Sequence, residues 1–477
     1  MNGPSADLVS KGIPAPGLRR TNGYLNMMFR QRDPPRFYQQ LARRFGDVAY
    51  FRFGPVDSYL VSHPDDVRDV FVTNARKFGR PLGAKILRRM LLGDGLLTSE
   101  GDFHLRQRRM IQPAFHRPRI AGYARVMAEH AARAGERWQQ HPDGQAIDVA
   151  EEMMRLTLGV VGKTLLDTDV DRDAPEVGEA LETLFRLFDK TSSPLHILLG
   201  RLGLSDDRPF RAARATLDDI VYRIIRERRA AGGDRGDLLS MLLAASDVAD
   251  AGGGSEDGVE KRPADPSRVW RMSDQLVRDE TMTLFLAGHE TTALALSWAW
   301  HLLGGHPQAE ERLHAEVDEL LGGRLPTFDD LPRLEFTEAV FAETLRLYPP
   351  AWLLGRSTLA QHELRGHPLA PRSMVVVSPW VIHRDPRFYD EPERFVPDRW
   401  TPAFKASLPK LAYLPFGGGN RVCIGEGFAW TEGILVLATL AQRWRLRPAG
   451  TGPVGYRAML TLRPRGGLPM RLQRRRS

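Results

Sequence analysis

Apolar side chains fall three and four residues apart through most of this chain. Residues 102–112, 119–139, 147–166, 175–188 and 208–231 keep that spacing with few breakers, and each is predicted to be a helix. A longer pattern follows. Ser273 is a good N-cap, apolar positions continue from Asp274 to about Leu303, and Gly304, Gly305 and Pro307 stop them. At about 1.5 Å per residue that helix reaches roughly 45 Å, enough to cross a domain. Residues 308–321, 335–348 and 423–444 complete the helical set, the second ended by Pro349-Pro350. Period-two alternation is scarce. Residues 47–53 and 58–61 flank the turn Gly54-Pro55-Val56-Asp57 and predict a hairpin, and 356–377 has strand and turn character. From there to Leu414 the chain is rich in proline and reads as irregular. Residues 1–10 read as a flexible terminus, and 247–267, rich in Gly, Asp and Ser, as a flexible surface loop. The expected class is mainly α with a smaller β part.

Of the 477 residues, 42% are hydrophobic, which supplies a large core and argues against disorder across the chain. The most apolar long stretch, 281–303, holds His289, Glu290 and two threonines at its centre. A lipid-facing span would not carry them, so a long buried helix of a soluble protein fits better. The polar first ten residues lack the pattern of a signal peptide. Net charge is +8. That excess favours an acidic partner (an electron-transfer protein, nucleic acid or an anionic surface) and equally suits a plain arginine-rich surface. Cys423 is the single cysteine. One cysteine excludes a disulfide framework, a cysteine-rich zinc site and an iron–sulfur cluster held by this chain alone, and it fits a reducing compartment.

That cysteine stands in Phe416-Gly417-Gly418-Gly419-Asn420-Arg421-Val422-Cys423-Ile424-Gly425. The glycines allow a tight turn and close approach of backbone to a flat ligand. Backbone N–H groups at the start of the following helix stabilise a thiolate, and Arg421 offers a guanidinium to a carboxylate of the same ligand. The segment resembles the haem-binding motif of the cytochrome P450 family, FxxGxRxCxG, matched at Phe416, Gly419, Arg421, Cys423 and Gly425. The resemblance implies haem b (iron protoporphyrin IX) with Cys423 as the iron ligand. It also implies one large domain over 1–477, with the long helix over the haem.

Other segments extend the likeness. Glu343 and Arg346 lie three apart on one helix face, which alone reads as an exposed ion pair. The family carries an ExxR pair here, held by a second arginine from a later PxxFxPDR-like stretch. Arg394 and Arg399 both compete for that place, and spacing favours Arg399. The implied Glu343–Arg346–Arg399 network is structural and locks the loop presenting Cys423. Ala287-Gly288-His289-Glu290-Thr291-Thr292 puts a glycine and paired threonines in mid-helix, where propensity disfavours them. A polar patch between closely packed helices would explain it too. The segment is similar to the family's oxygen-activation motif, which implies that Ala287 faces the haem, Glu290 relays protons and Thr291 hydrogen-bonds oxygen or its water. His289 is read as structural.

Where the family often has WxxxR, this chain has His104 and Arg108. Arg108, Arg356 and Arg421 are expected on haem propionates together with His104, which stands where the family has Trp and can still donate a hydrogen bond. Arg106 and Arg109 read either as a docking face for an acidic redox partner or as a solvated face. Phe285, Leu286, Ala351, Leu353 and Leu354 are the expected apolar pocket wall, with core packing as the plain alternative. The string from Leu345 to Trp352, LRLYPPAW, looks like the same turn in a bacterial β-carotene hydroxylase of the family.

The implied activity is a haem-thiolate monooxygenase acting on an apolar terpenoid, fatty acid or carotenoid with O2. Electrons would come from ferredoxin and ferredoxin reductase as separate proteins. A cytoplasmic monomer is expected, with no membrane span and no nucleic acid. A peroxide-driven or isomerising haem-thiolate enzyme and a non-catalytic haem-binding protein are the competing readings. The Glu290–Thr291 pair speaks against the first, because peroxide chemistry needs no proton relay.

Overall fold

Eleven helices of ten or more residues lie among the described residues: α1 (Pro34–Phe45), α2 (Gly101–Ile111), α3 (Arg117–Trp138), α4 (Val149–Leu165), α5 (Ala174–Thr191), α6 (Arg208–Ala231), α7 (Leu238–Asp247), α8 (Asp274–Gly305), α9 (Pro307–Leu321), α10 (Glu335–Leu347) and α11 (Glu426–Ala441). Twelve short strands accompany them: β1 (Val48–Phe53), β2 (Val56–Val61), β3 (Phe78–Gly79), β4 (Ala146–Asp148), β5 (Leu354–Thr358), β6 (His362–Leu364), β7 (His367–Leu369), β8 (Met374–Val377), β9 (Trp444–Pro448), β10 (Tyr456–Ala458), β11 (Leu462–Pro464) and β12 (Pro469–Arg474). The class is mainly α with a smaller β part. This computed structural model describes residues 14–18, 33–170, 173–191, 208–233, 235, 237–247 and 272–475. The stretches expected to be flexible, 1–10 and 247–267 past Asp247, lie outside them.

The chain divides into two compact units. The first takes the described residues up to Leu82 together with Trp352–Glu393 and Ser407–Val422. Its sheet runs β1-β2-β8-β5-β3, with β2 and β8 parallel and the other pairs antiparallel. Val48, Val61, Phe71, Val375, Val377, Ile382 and Leu414 form its core. The predicted hairpin is β1–β2, paired from Val48↔Val61 to Phe53↔Val56. Helix α1 was not foreseen, although Asp33 caps it, Pro34 opens it, and Tyr38 and Leu41 bury its inner face.

The second unit holds Gly83–Ala351, Arg394–Ala406 and the chain from Cys423. Ser273 caps α8 through Leu276 N at 3.2 Å, as its position predicts, and α8 is buried along nearly its whole length. Helix α4 packs on it closely: a Cβ at Gly288 would lie 3.0 Å from Val161 Cγ2. The glycine, costly for helix propensity, is what lets the two helices approach. Strands β4, β12 and β9 form a sheet, and β10 pairs antiparallel with β11. The helix expected at 423–444 starts only at Glu426 and ends at Ala441, after which Trp444 opens β9. Cys423 therefore precedes the helix, following a 3-10 turn at Gly419–Arg421.

Candidate active site

The cysteine loop is shaped by two left-handed glycines, Gly417 (φ 73°) and Gly419 (φ 68°). A Cβ on Gly419 would fall 1.9 Å from the carbonyl oxygen of Phe71, so no other residue fits there without moving backbone. The turn closes with Val422 N donating to Gly419 O at 3.1 Å. Cys423 is exposed, and the N–H of Gly425 is directed at its sulfur. Desolvation by the surrounding protein, opposed by the Gly425 N–H, reinforced by the Glu426 charge and opposed by Arg108, leaves the Cys423 thiol raised to about 11. A bound metal cation inverts that balance, because a coordinating thiol loses its proton outright.

Each unit carries cations singled out by the sequence. In the second unit, Arg108 on α2 is half-buried and burial lowers its pKa, with the Cys423 charge opposing. His104, one turn earlier, is buried with Nδ1 at 3.1 Å from Leu96 O. That carbonyl only accepts, so Nδ1 carries a hydrogen, and Nε2 needs a second proton before it donates to a propionate. In the first unit, Arg356 lies 4.4 Å over the Phe71 ring and donates to its own neighbour's carbonyl, Gly355 O. Burial, then the nearby Arg421 charge, brings the Arg356 pKa down to about 10. Two guanidinium groups repelling each other call for an anionic ligand.

Helix α8 supplies a second fitting surface. In a helix that is otherwise buried through its middle, Ala287 is exposed and Gly288 and Thr291 are half-exposed. These positions lie on one helical face, and their small side chains let a flat group approach. The Thr291 hydroxyl donates to Ala287 O at 2.9 Å. Within the second unit, a thiol with an N–H on its sulfur, the Arg108 cation and a small-residue helix face fit a haem and its propionate charge.

Glu290 is buried and turned to a different partner. Its Oε1 accepts from Thr461 Oγ1 at 2.5 Å and from Arg463 Nε and Nη2 at 3.0 and 2.7 Å. Neither partner was foreseen, and both lie more than 170 residues away. The one hint was Thr461-Leu462-Arg463, polar positions alternating with an apolar one. His289 is buried with Nδ1 at 2.7 Å from Phe285 O, and burial lowers its pKa, so it is a neutral structural side chain.

Glu343 accepts from Arg346 Nε and Nη2, both at 2.8 Å, from Arg399 Nε at 3.0 Å, from Val396 N at 2.9 Å and from Trp400 Nε1 at 2.9 Å. Arg394 contributes its carbonyl to Arg346. Sequence reasoning did not single out Trp400 or the Val396 amide. Glu432 on α11 was also missed. It is fully buried beside Thr292, neither carboxylate oxygen makes a well-formed hydrogen bond, and burial holds its pKa well above the carboxylate range.

The residues expected to form a pocket wall differ in exposure. Phe285 is 1% exposed and packs on His289, and Leu286 is also buried. Ala351, Leu353 and Leu354 are half-exposed, and Phe416 is half-buried. Arg106 and Arg109 are exposed.

The cytochrome P450 family model matches residues 14–467. The chain is 42% identical over 450 residues to cyclooctatin synthase of Streptomyces melanosporofaciens, covering 94% of this chain and 93% of that one. To cyclooctat-9-en-7-ol 5-monooxygenase of the same organism it is 40% identical, covering 91% and 89%. To pentalenene oxygenase of Streptomyces avermitilis it is 35% identical, covering 94% and 96%. The crystal structure of the cytochrome P450DA heme domain superposes with a TM-score of 0.84 at 28% identity, covering 98% of both chains. With a thiol, cations and helix face suited to haem, this chain belongs to the cytochrome P450 family and is a monooxygenase of the oxidoreductase class.

Proposed function

We propose that this monooxygenase inserts one atom of O2 into a C–H bond of a terpenoid hydrocarbon. The observation that carries the chemistry is the exposed Cys423 thiol with the Gly425 N–H on its sulfur, beyond a turn that only glycine can make. Haem b, when bound, supplies the redox chemistry that cleaves O–O. Two electrons and two protons enter, one oxygen joins carbon and the other leaves as water.

The chain's own residues do the rest. Cys423 ligates the iron. Arg108, Arg356 and Arg421 hold the propionates, with His104 beside Arg108. Ala287 leaves room for the flat group, Thr291 orients water with its hydroxyl, and Glu290 passes protons. The Glu343–Arg346–Arg399 network holds the segment leading to the cysteine loop. Ala351, Leu353 and Leu354 offer an apolar wall. Terpenoid is favoured over fatty acid or carotenoid because the relatives' names carry pentalenene and cyclooctat-9-en-7-ol. The electron donor is a ferredoxin with its reductase, docked at Arg106 and Arg109, and the enzyme works as a cytoplasmic monomer.

Three measurements test this. Cys423→Ser is expected to abolish the thiolate–CO spectrum. Thr291→Ala is expected to divert electrons into hydrogen peroxide; product formation fully coupled to O2 in that variant would overturn the relay. Difference spectra with terpenoid, fatty-acid and carotenoid panels are expected to respond to terpenoids, and a response confined to another class would overturn the substrate assignment.

A further inference from the structure

We infer that Glu280 is a positioning residue for substrate: as a neutral acid it seats the turn at 93–98 on α8, beside the Ala287 face, and as a carboxylate it lets that turn lift. This rests on the reading above that substrate lies against the Ala287 face. Glu280 stands seven residues before Ala287, two turns back along the same side of α8 and roughly 10 Å away. Ala287 is exposed, but Glu280 and Thr283 are buried under the turn at 93–98. A Cβ on Gly95 would lie 2.1 Å from Thr283 Oγ1, and one on Gly93 2.0 Å from Asp279 Oδ2, so the turn rests directly on the helix. Substrate on Ala287 has this turn as its next neighbour toward the start of α8.

Two acids tie the turn to the helix. Asp94 N donates to Asp279 Oδ2 and Leu96 N to Glu280 Oε2, both at 2.9 Å. Gln107 Nε2 bridges them, donating to Asp94 O and to Glu280 Oε1, both at 2.6 Å. The acids differ in their charge support. Asp279 accepts from Arg278 Nη1 at 2.9 Å. Among the described residues no cation bonds to Glu280, which is 0% exposed. Gln107 Oε1, on the amide that touches Glu280, is buried without a partner. An unused acceptor beside the carboxyl suits a carboxyl that keeps its hydrogen.

The surrounding charges are engaged elsewhere. Arg278 serves Asp218 on α6, Asp279 and Leu91 O, and Tyr222 on α6 turns to Gln275. Arg88 pairs with Asp94, and Arg89 is exposed. On α2, His104 turns Nδ1 to Leu96 O, and Arg108 feels the Cys423 charge. Lys163 on α4 pairs with Asp167, and Asp237, just before α7, pairs with Arg228. Burial, opposed by the Leu96 N–H and reinforced by the Asp279 charge, raises the Glu280 pKa to about 8. Lifting the turn admits water and returns Glu280 toward its ordinary 4.5. A bound proton therefore favours the seated turn. That preference is complete below the lower value and falls by up to about tenfold per pH unit until it is lost through the higher one.

The test is deuterium exchange in the haem-loaded full chain, read by mass spectrometry on the peptide over 93–99 and corrected for intrinsic exchange rates. Peptides from α4 report global unfolding. From about pH 6 upward, protection at 93–99 should fall by up to about tenfold per unit, level off near pH 8, and stay below that of α4. Glu280→Gln, which stays neutral, should remove the slope. Asp279→Asn, which deletes the repelling charge, should move the levelling point to lower pH. The terpenoid with the largest difference spectrum gives the second readout: its apparent Kd should rise severalfold across that range in wild type and stay flat in Glu280→Gln. A flat wild-type profile, an equal slope in Glu280→Gln, or exchange in step with α4 overturns the seating. If Glu280→Gln does not fold, an unmoved levelling point in Asp279→Asn overturns it too. Protection that follows Glu280 while Kd does not overturns the link to substrate. Should no terpenoid shift the spectrum, the substrate reading fails, and exchange alone decides the seating.

Discussion

The guanidinium of Arg346 lies alongside the carboxylate of Glu343, joined by two hydrogen bonds of 2.8 Å between side chains that solvent does not reach. Removing either partner leaves the other charged and buried. Arg346→Ala is expected to cost about 3–5 kcal/mol of stability and to lower haem retention. Urea unfolding checks the first and absorbance per protein the second; a loss below about 1 kcal/mol, as for an exposed pair, would contradict the geometry.

The two left-handed glycines before Cys423 separate strain from collision. Gly417→Ala has open space, its nearest contact being Leu354 at 3.8 Å, and should cost about 1–2 kcal/mol for the backbone conformation alone. Gly419→Ala meets the Phe71 carbonyl at 1.9 Å and should cost clearly more. Equal unfolding midpoints for the two variants would refute the steric account.

Glu280, buried on α8, accepts from Gln107 Nε2 at 2.6 Å and Leu96 N at 2.9 Å, and burial raises its pKa to about 8. The folded chain then keeps a proton that the unfolded chain releases near pH 4.5. Its contribution is complete below that pH and is lost as pH rises through about 8. Between those limits stability should fall by up to about 1.4 kcal/mol per pH unit. Glu280→Gln should flatten the slope in denaturation series taken across that range, and parallel slopes for the two proteins would count against it.

Arg356 donates to Gly355 O and lies close to the Arg421 charge, an arrangement an anion would relieve. Arg356→Leu is expected to speed haem loss about tenfold or more, the worth of one charged hydrogen bond. Transfer of haem to an acceptor globin measures it. An unchanged rate would remove Arg356 from the propionate set.

Much of this was legible locally. The capped, glycine-ended α8 and the glycine turn before Cys423 are written in contiguous residues. Helix α1 escaped because its arginines mask a narrow buried stripe of Tyr38 and Leu41. The start of α11 was placed early because Gly425 and Gly427 weaken the turn that follows Cys423. The burial of Phe285 and Leu286 was not legible, because helical spacing cannot tell one apolar face from another. Thr461, Arg463, Trp400 and the Gln107–Glu280 pair act across long separations, where a sequence shows the residue type and not its partner.

The five donors on Glu343 also impose an order on synthesis. Glu343 and Arg346 leave the ribosome together, but Arg399 and Trp400 follow 56 and 57 residues later. In between, the chain builds Trp352–Glu393 of the other unit, and it passes between the two units five times in all. No single cut yields either unit as a contiguous piece. A nascent chain that stops short of Val396 lacks three of the five donors, so the network on Glu343 is complete only after strands β5 to β8 have been made.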